Sequence, residues 1–188
     1  MIQASLARPF RVERMSMKIR NGGPSDVPDI LSLLDGAVSW LAAGKRTGQW
    51  GDRPFSTDRA RIDQVTSYAE EPFLVRIAVD DEGRTIGCCV LAEQRGKFVP
   101  VSAEPELFVR LLVTDRSRKG SGIGAALIAD AVEETRRRGL DLLRVDCYAG
   151  DDRKLVGQYR ALGFTETAGF EVELPTGTWP GQLLEIRL

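Results

Sequence analysis

Three glycines and three cations stand together in Arg116-Ser117-Arg118-Lys119-Gly120-Ser121-Gly122-Ile123-Gly124. An apolar run, Leu107-Phe108-Val109-Arg110-Leu111-Leu112-Val113, precedes them and reads as a strand. Leu127, Ile128, Ala131, Val132 and Thr135 follow at helical spacing. Glycine has no Cβ, so a ligand can come close to the backbone there. The loop opens a helix, whose first N–H groups have no intrahelical partner and carry partial positive charge. Such a place binds phosphate, and Arg116, Arg118 and Lys119 add full charge beside it. A phosphorylated ligand is the expectation for this loop.

Spacing narrows the kind of phosphate loop. A Walker A loop needs G-x-x-x-x-G-K-[ST], which the chain lacks. A dinucleotide fingerprint needs G-x-G-x-x-G. Gly120-x-Gly122 meets its next glycine too soon, at Gly124, and Gly122-x-Gly124 meets Leu127 where the third belongs. The chain contains no histidine. That excludes Ser-His-Asp and Cys-His catalysis and removes the commonest general base. Proton transfer must use Tyr, Glu, Asp, Cys or water. Cys88, Cys89 and Cys147 lack C-x-x-C spacing, so no metal site and no disulfide scaffold is expected. Strand neighbours point to opposite faces, so Cys88 and Cys89 should not pair.

A second strand, Leu142-Leu143-Arg144-Val145-Asp146-Cys147, follows the helix, and then Gln158-Tyr159-Arg160-Ala161-Leu162-Gly163-Phe164. This order of motifs resembles the GNAT superfamily of acetyl-CoA-dependent N-acetyltransferases. The superfamily's phosphate loop reads [Q/R]-x-x-G-x-[G/A]; Lys119, Gly122 and Gly124 take those positions. Its later signature reads roughly N-x-x-A-x-x-x-Y-x-x-x-G-F. Tyr159, Gly163 and Phe164 match the second half, while Asp152 replaces Asn and Leu155 replaces Ala. The resemblance covers about residues 17 to 188. It implies an α/β (α+β) fold with a mixed central sheet, flanked by helices and splayed like a V.

The same resemblance implies acetyl-CoA as cosubstrate and an amine of a small molecule or protein as acceptor. The amine would attack directly in a ternary complex. Arg118, Lys119, Gly120, Ser121, Gly122, Ile123 and Gly124 would bind the phosphates, with Arg118 or Lys119 as the main contact. Asp152 would touch the cosubstrate from the Asn position. The extended arm would run along Leu111, Leu112 and Val113 as an added strand would. Tyr159 would protonate the leaving thiolate, since an ordinary phenol pKa of ~10 keeps it protonated at neutral pH. The N–H of Leu112 or Val113 would polarise the thioester carbonyl. Glu106, Asp115 and Glu93 are candidate general bases, beside a water chain. The family draws acceptor specificity from its first helices and last strands, which brings in Gln49, Trp50 and Trp179; Trp40 is expected in the core. A non-catalytic acyl-CoA-binding regulatory domain is the alternative. A Rossmann-like nucleotide-binding unit is a third reading.

Several elements must position these groups. Met17-Lys18-Ile19-Arg20 reads as a short strand, and Ser25 or Asp26 should cap a helix that buries Ile30, Leu33, Leu34, Ala37, Val38 and Leu41. Ser56 or Thr57 should cap a second helix bearing Ile62, Val65 and Tyr68. Leu74–Val79 and Thr85–Ala92 form a hairpin around Asp80-Asp81-Glu82-Gly83-Arg84. Arg136-Arg137-Arg138-Gly139 ends the phosphate-loop helix, with Glu133 and Glu134 in i,i+4 pairs. Phe170–Leu174 and Leu183–Leu188 close the sheet.

Length sets the scale: 188 residues suit one domain, here residues 17–188, preceded by an extension over residues 1–16. A net charge of −1 gives no global attraction to nucleic acid or to an anionic membrane. No apolar run approaches the ~20 residues of a spanning helix, and residues 1–16 lack the core of a signal peptide. Reduced cysteines and a cytoplasmic setting follow as expectations, and a homodimer is compatible with the reading.

Overall fold

The computed structural model describes residues 16–150, 152–175 and 177–188. The expected extension lies outside them except for Ser16. Four helices are α1 (Val27–Ala43), α2 (Arg59–Ser67), α3 (Ile123–Arg137) and α4 (Lys154–Ala161). The strands are β1 (Met17–Asn21), β2 (Leu74–Asp80), β3 (Thr85–Ala92), β4 (Leu107–Thr114), β5 (Leu142–Tyr148), β6 (Thr165–Leu174) and β7 (Gly177–Arg187). They form one mixed sheet in the order β1-β2-β3-β4-β5-β7-β6. Only β4 and β5 pair in parallel; the other neighbours are antiparallel.

Period-2 alternation divides the sheet between two cores. Cys88 and Val90 face α1, where Ile30, Leu34, Ala37 and Val38 are buried. Cys89 and Leu91 face α3, against Leu127, Ile128 and Ala131. The adjacent cysteines therefore lie on opposite faces and both are free. Burial pushes the Cys88 thiol up to about 12 and Cys89 well above its ordinary value, so both are inert filling. No helix among the described residues is long and apolar enough to cross a membrane.

Local chemistry explains where the elements begin and end. Asp58, rather than Ser56 or Thr57, caps α2, accepting from the N–H groups of Ala60 and Arg61. Asp26 sits before α1, where its buried carboxylate takes the Gly23 N–H and the Arg20 guanidinium. The arginines that end α3 are held by carboxylates, mostly one turn apart at i,i+3: Arg136 by Glu133 and Arg137 by Glu134. Arg138 takes the i,i+4 pair with Glu134 and reaches Glu93. β6 and β7 extend well beyond the two short strands expected for the chain's end, into one long hairpin. That hairpin brings Phe170 and Trp179 beside β5.

Candidate active site

β4 and β5 pair at Leu107↔Leu143, Phe108↔Arg144 and Val109↔Val145, and then part. A β-bulge marks the place: Val90 faces Leu111 and Leu91 faces Val109, which leaves Arg110 as the extra residue. A bulge bends its strand and increases its twist, so residues 110–114 leave β5. One edge of that segment stays on β3 and the other is open. The Asp115 N–H donates to the Ile86 carbonyl at 2.9 Å, continuing the β3–β4 register. Antiparallel residues alternate between bonding to the partner and pointing away. Leu111 and Val113 therefore bond to β3, while Leu112 and Thr114 turn their N–H and C=O groups to the open edge. Of the two candidate carbonyl donors, Leu112 alone has its N–H on that edge.

Two basins meet at the gap. The loop-side basin holds about 410 Å³, and Trp40, Arg46, Thr114, Arg116, Gly124 and Asp152 line it. Gly120 and Gly122 have φ of +83° and +84°, a left-handed backbone that favours glycine. Gly122 is the N-cap of α3, so the helix presents its unpartnered N–H groups at this loop. A Cβ on Gly124 would meet only Thr114 Cγ2, at 4.0 Å, so the space before it is open.

Three cations surround one ring. The Arg116 guanidinium lies 4.0 Å from the Trp40 ring centre, Arg46 lies 5.8 Å and Lys119 6.0 Å away. Trp40 is thus half-exposed in the basin wall, not in the core as expected: α1 turns that face toward the arginines. Burial lowers the pKa of Arg116. Its Nε is buried with no hydrogen-bond partner among the described residues. Leaving such a donor unpaired costs about 1–3 kcal/mol, and an anion in the basin would supply the acceptor. The residues present therefore fit a phosphorylated cosubstrate.

Arg118 has a different place. Its guanidinium bridges Asp80 at 2.7 Å and Asp115 at 3.4 Å, tying the glycine loop to the β2–β3 turn. Lys119 makes no ion pair among the described residues. Asp152 accepts the Lys154 N–H and pairs with Arg46 at 3.4 Å and Lys154 at 3.3 Å. Those contacts, the Lys154 N–H foremost, lower its pKa. The Arg46–Asp152 pair ties the α1–α2 loop to the β5–α4 loop.

The second basin holds about 860 Å³ and is rich in rings. Gln49, Trp50, Leu112, Tyr148, Leu155 and Tyr159 line both basins and form the waist between them. Tyr159, on α4, is buried edge-on to Phe164 at 5.6 Å. Burial pushes its phenol above its ordinary pKa, so it stays protonated. Its hydroxyl has no hydrogen-bond partner among the described residues. Tyr148 is wedged between Gly48 and Gly150; a Cβ on either would collide with its ring.

Asp146 is the group that sequence reasoning missed. It is the first β5 residue beyond the last rung to β4, and it lines the aromatic basin. Burial raises its pKa, with Arg110 pulling the other way. It makes no ion pair among the described residues. The signal was an acid inside the apolar run Leu142–Cys147. Its neighbour Arg144 also breaks that run, but a buried ion pair with Glu106 at 2.7 Å satisfies it.

The three expected bases all sit elsewhere. Glu106 is held in a buried ion pair with Arg144 at 2.7 Å. Asp115 caps a 3₁₀ turn; burial alone would raise its pKa, but Ser117 and Arg118 bring it below the ordinary value. Glu93 is exposed and paired with Arg138 at 2.8 Å. None of the three lines either basin.

Comparison with known proteins points to acetyltransferases. Residues 37–164 match the sequence model of the Acetyltransferase (GNAT) family. L-methionine sulfoximine/L-methionine sulfone acetyltransferases of Pseudomonas paraeruginosa and Pseudomonas aeruginosa are 26% identical over 151 residues, 80% of this chain and 81% of theirs. Among solved structures, yncA from Salmonella typhimurium, determined with acetyl-CoA, superposes with a TM-score of 0.63. It is 20% identical, over 92% of this chain and 94% of that one. The ribosomal-protein-alanine N-acetyltransferase of Brucella melitensis gives 0.65 at 22% identity, over 91% and 99% of the two chains. At these identities the solved structures establish the fold.

Proposed function

We propose that this chain, which belongs to the acetyltransferase (GNAT) family, brings acetyl-CoA and an amine into one complex through residues 17–188, where the amine attacks directly. The protein is an N-acetyltransferase and acetyl-CoA is its acetyl donor. Acetyl-CoA supplies a thioester whose acyl carbon is open to a nucleophile. Arg116, Lys119 and the loop from Gly120 to Gly124 hold its phosphates, with Arg118 fixing the loop rather than the ligand. Leu112 and Thr114 offer their open edge to its amide arm. The Leu112 N–H polarises the thioester carbonyl.

Asp146 takes the proton that the acceptor ammonium must shed, directly or through one water. Its raised pKa brings it nearer to that task. As the C–N bond forms and the C–S bond breaks, Tyr159 gives its proton to the departing sulfur and regains one, through water, as the nitrogen sheds its second proton. The net reaction releases one proton to solvent. The observation that carries this reading is the waist, where Leu112 and Tyr159 stand between a cationic basin and one that holds a lone carboxylate.

The names of the Pseudomonas relatives support a small amino-acid-like amine as the acceptor. Free Cys88, Cys89 and Cys147 fit a reducing, cytoplasmic setting. Free-thiol release is the test, with acetyl-CoA mixed with a panel of amines. Release that depends on an amine is expected. Acetyl-CoA binding without release from any amine would overturn the reading in favour of a binding domain.

A further inference from the structure

The splay leaves two opposite charges at its mouth. Arg110 and Asp146 are the residues just past the last β4–β5 rung, one on each arm. Both line the aromatic basin. Asp146 feels the Arg110 charge, yet no ion pair joins them among the described residues. Arg110 gives one N–H to the Gln94 carbonyl at 3.2 Å, which leaves most of its donor fork unused. Arg61, the basin's other arginine, donates to the Trp50 and Arg53 carbonyls at 2.8 Å each. Lys97 adds positive charge at the wall and makes no ion pair among the described residues.

The walls between these charges are flat and apolar. All three tyrosines of the chain and two of its three tryptophans line this basin. Tyr148, Trp179 and Phe170 form a tilted run, with centroids 5.6 and 6.3 Å apart. Such spacings are those at which rings attract one another beyond simple burial. Phe98 stands at the rim, 55% exposed. A further ring placed here would gain contacts that a methyl group would not.

Resting on the acetyl-transfer reading, we propose that the acceptor is a free α-amino acid with an aromatic side chain. Its ammonium pairs with Asp146, its carboxylate with Arg110, and its ring lies against Trp179 and Phe170. Separated, unpaired charges of opposite sign match a zwitterion and disfavour a diamine or a peptide N-terminus.

The test compares kcat/KM, by thiol release, for L-tryptophan and L-phenylalanine, their carboxamides, L-alanine, L-methionine sulfone and spermidine. The aromatic acids should exceed L-alanine by roughly 100-fold and their carboxamides by roughly 10- to 100-fold. The carboxamide amine is the less basic of the two, so a larger share of it is neutral at pH 7. A site blind to the carboxylate would therefore prefer the amide. Arg110→Gln should bring the acid-to-amide ratio down to one or below. Parent enzyme that uses the amide as well as the acid, or L-alanine or L-methionine sulfone as well as L-phenylalanine, overturns the proposal. Release with spermidine and none with the aromatic acids overturns it too, while acetyl transfer stands. No release from any amine overturns both.

Discussion

The loop-side basin sets Arg46, Arg116 and glycine backbone beside Trp40, while the aromatic basin sets its rings around Asp146 and Arg110. Among the described residues, the Arg116 Nε lacks a hydrogen-bond partner in the first, and the Asp146 carboxylate makes no ion pair in the second. The signs are opposite, and so are the charges of what each must receive, phosphate on one side and ammonium on the other. A folded protein normally satisfies its buried polar groups. On the proposed reaction, groups left waiting on either side of a single waist are what the two substrates would satisfy.

The largest effect should come from removing the carboxylate. Asp146→Asn keeps the shape and removes the base. The kcat/KM for the amine should fall by ~10²- to 10⁴-fold, with acetyl-CoA affinity nearly that of the parent. The pH profile sharpens the test. Burial raises the pKa of Asp146 above its ordinary ~3.9, so the ionised form is lost as pH falls through that raised value. In the parent, log kcat/KM should therefore steepen on the acid side; in the variant it should not. A variant with the parent's rate and profile would leave water as the base and break the symmetry of the two basins.

Tyr159→Phe probes the waist. The ring and its packing on Phe164 remain, and the proton is gone. A loss in kcat of ~10²-fold is expected, with little change in acetyl-CoA binding. Because burial raises the phenol's pKa, no alkaline limb from Tyr159 should appear below pH 10. Loss of binding and of thermal stability together would assign the residue to the core instead.

The two basins also differ in how far the chain announces them. The loop-side basin has its announced part in one run, Arg116 to Gly124, which carries charge, the glycines and the helix start, while Trp40, Arg46 and Asp152 join it from other segments. The aromatic basin collects Trp50 and Phe55 before α2, Phe98 between β3 and β4, Asp146 in β5, and Phe170 and Trp179 in the last hairpin. Nothing in sequence spacing ties those segments together. A lone ring reads as core or as pocket with equal ease, as Trp40 shows by standing among three cations. The bulge at Arg110 likewise depends on the β3–β4 register, which residue types alone do not set.

Arg116→Met separates function from stability. It removes a buried donor with no partner and keeps a flexible apolar stem against Trp40. The unliganded variant should melt higher than the parent, while acetyl-CoA affinity by calorimetry falls roughly tenfold or more. Lys119→Ala is the control at an exposed position. Its smaller loss should shrink as salt rises, whereas the Arg116 effect should persist, because buried charges are screened less. A lower melting temperature together with unchanged affinity would show that Arg116 is structural.

The smallest effect belongs to a residue that touches neither basin. The Asp80 carboxylate accepts the N–H groups of Glu82 and Arg84 at 3.0 and 2.9 Å. It also binds the guanidiniums of Arg84 at 3.0 Å and Arg118 at 2.7 Å. Burial alone would raise its pKa, but the Arg84 donors and the Glu82 N–H bring it down to about 2. Its folded value thus lies below the ordinary ~3.9. The stability it contributes is present above about pH 4 and is lost as pH falls toward 2. Asp80→Asn should melt below the parent at pH 7, and the gap should close between pH 4 and 2. Acetyl-CoA affinity should drop by less than in Arg116→Met, because Arg118 steadies the glycine loop without binding phosphate. An affinity loss as large as that of Arg116→Met, with no change in melting at pH 7, would instead put Arg118 on the cosubstrate.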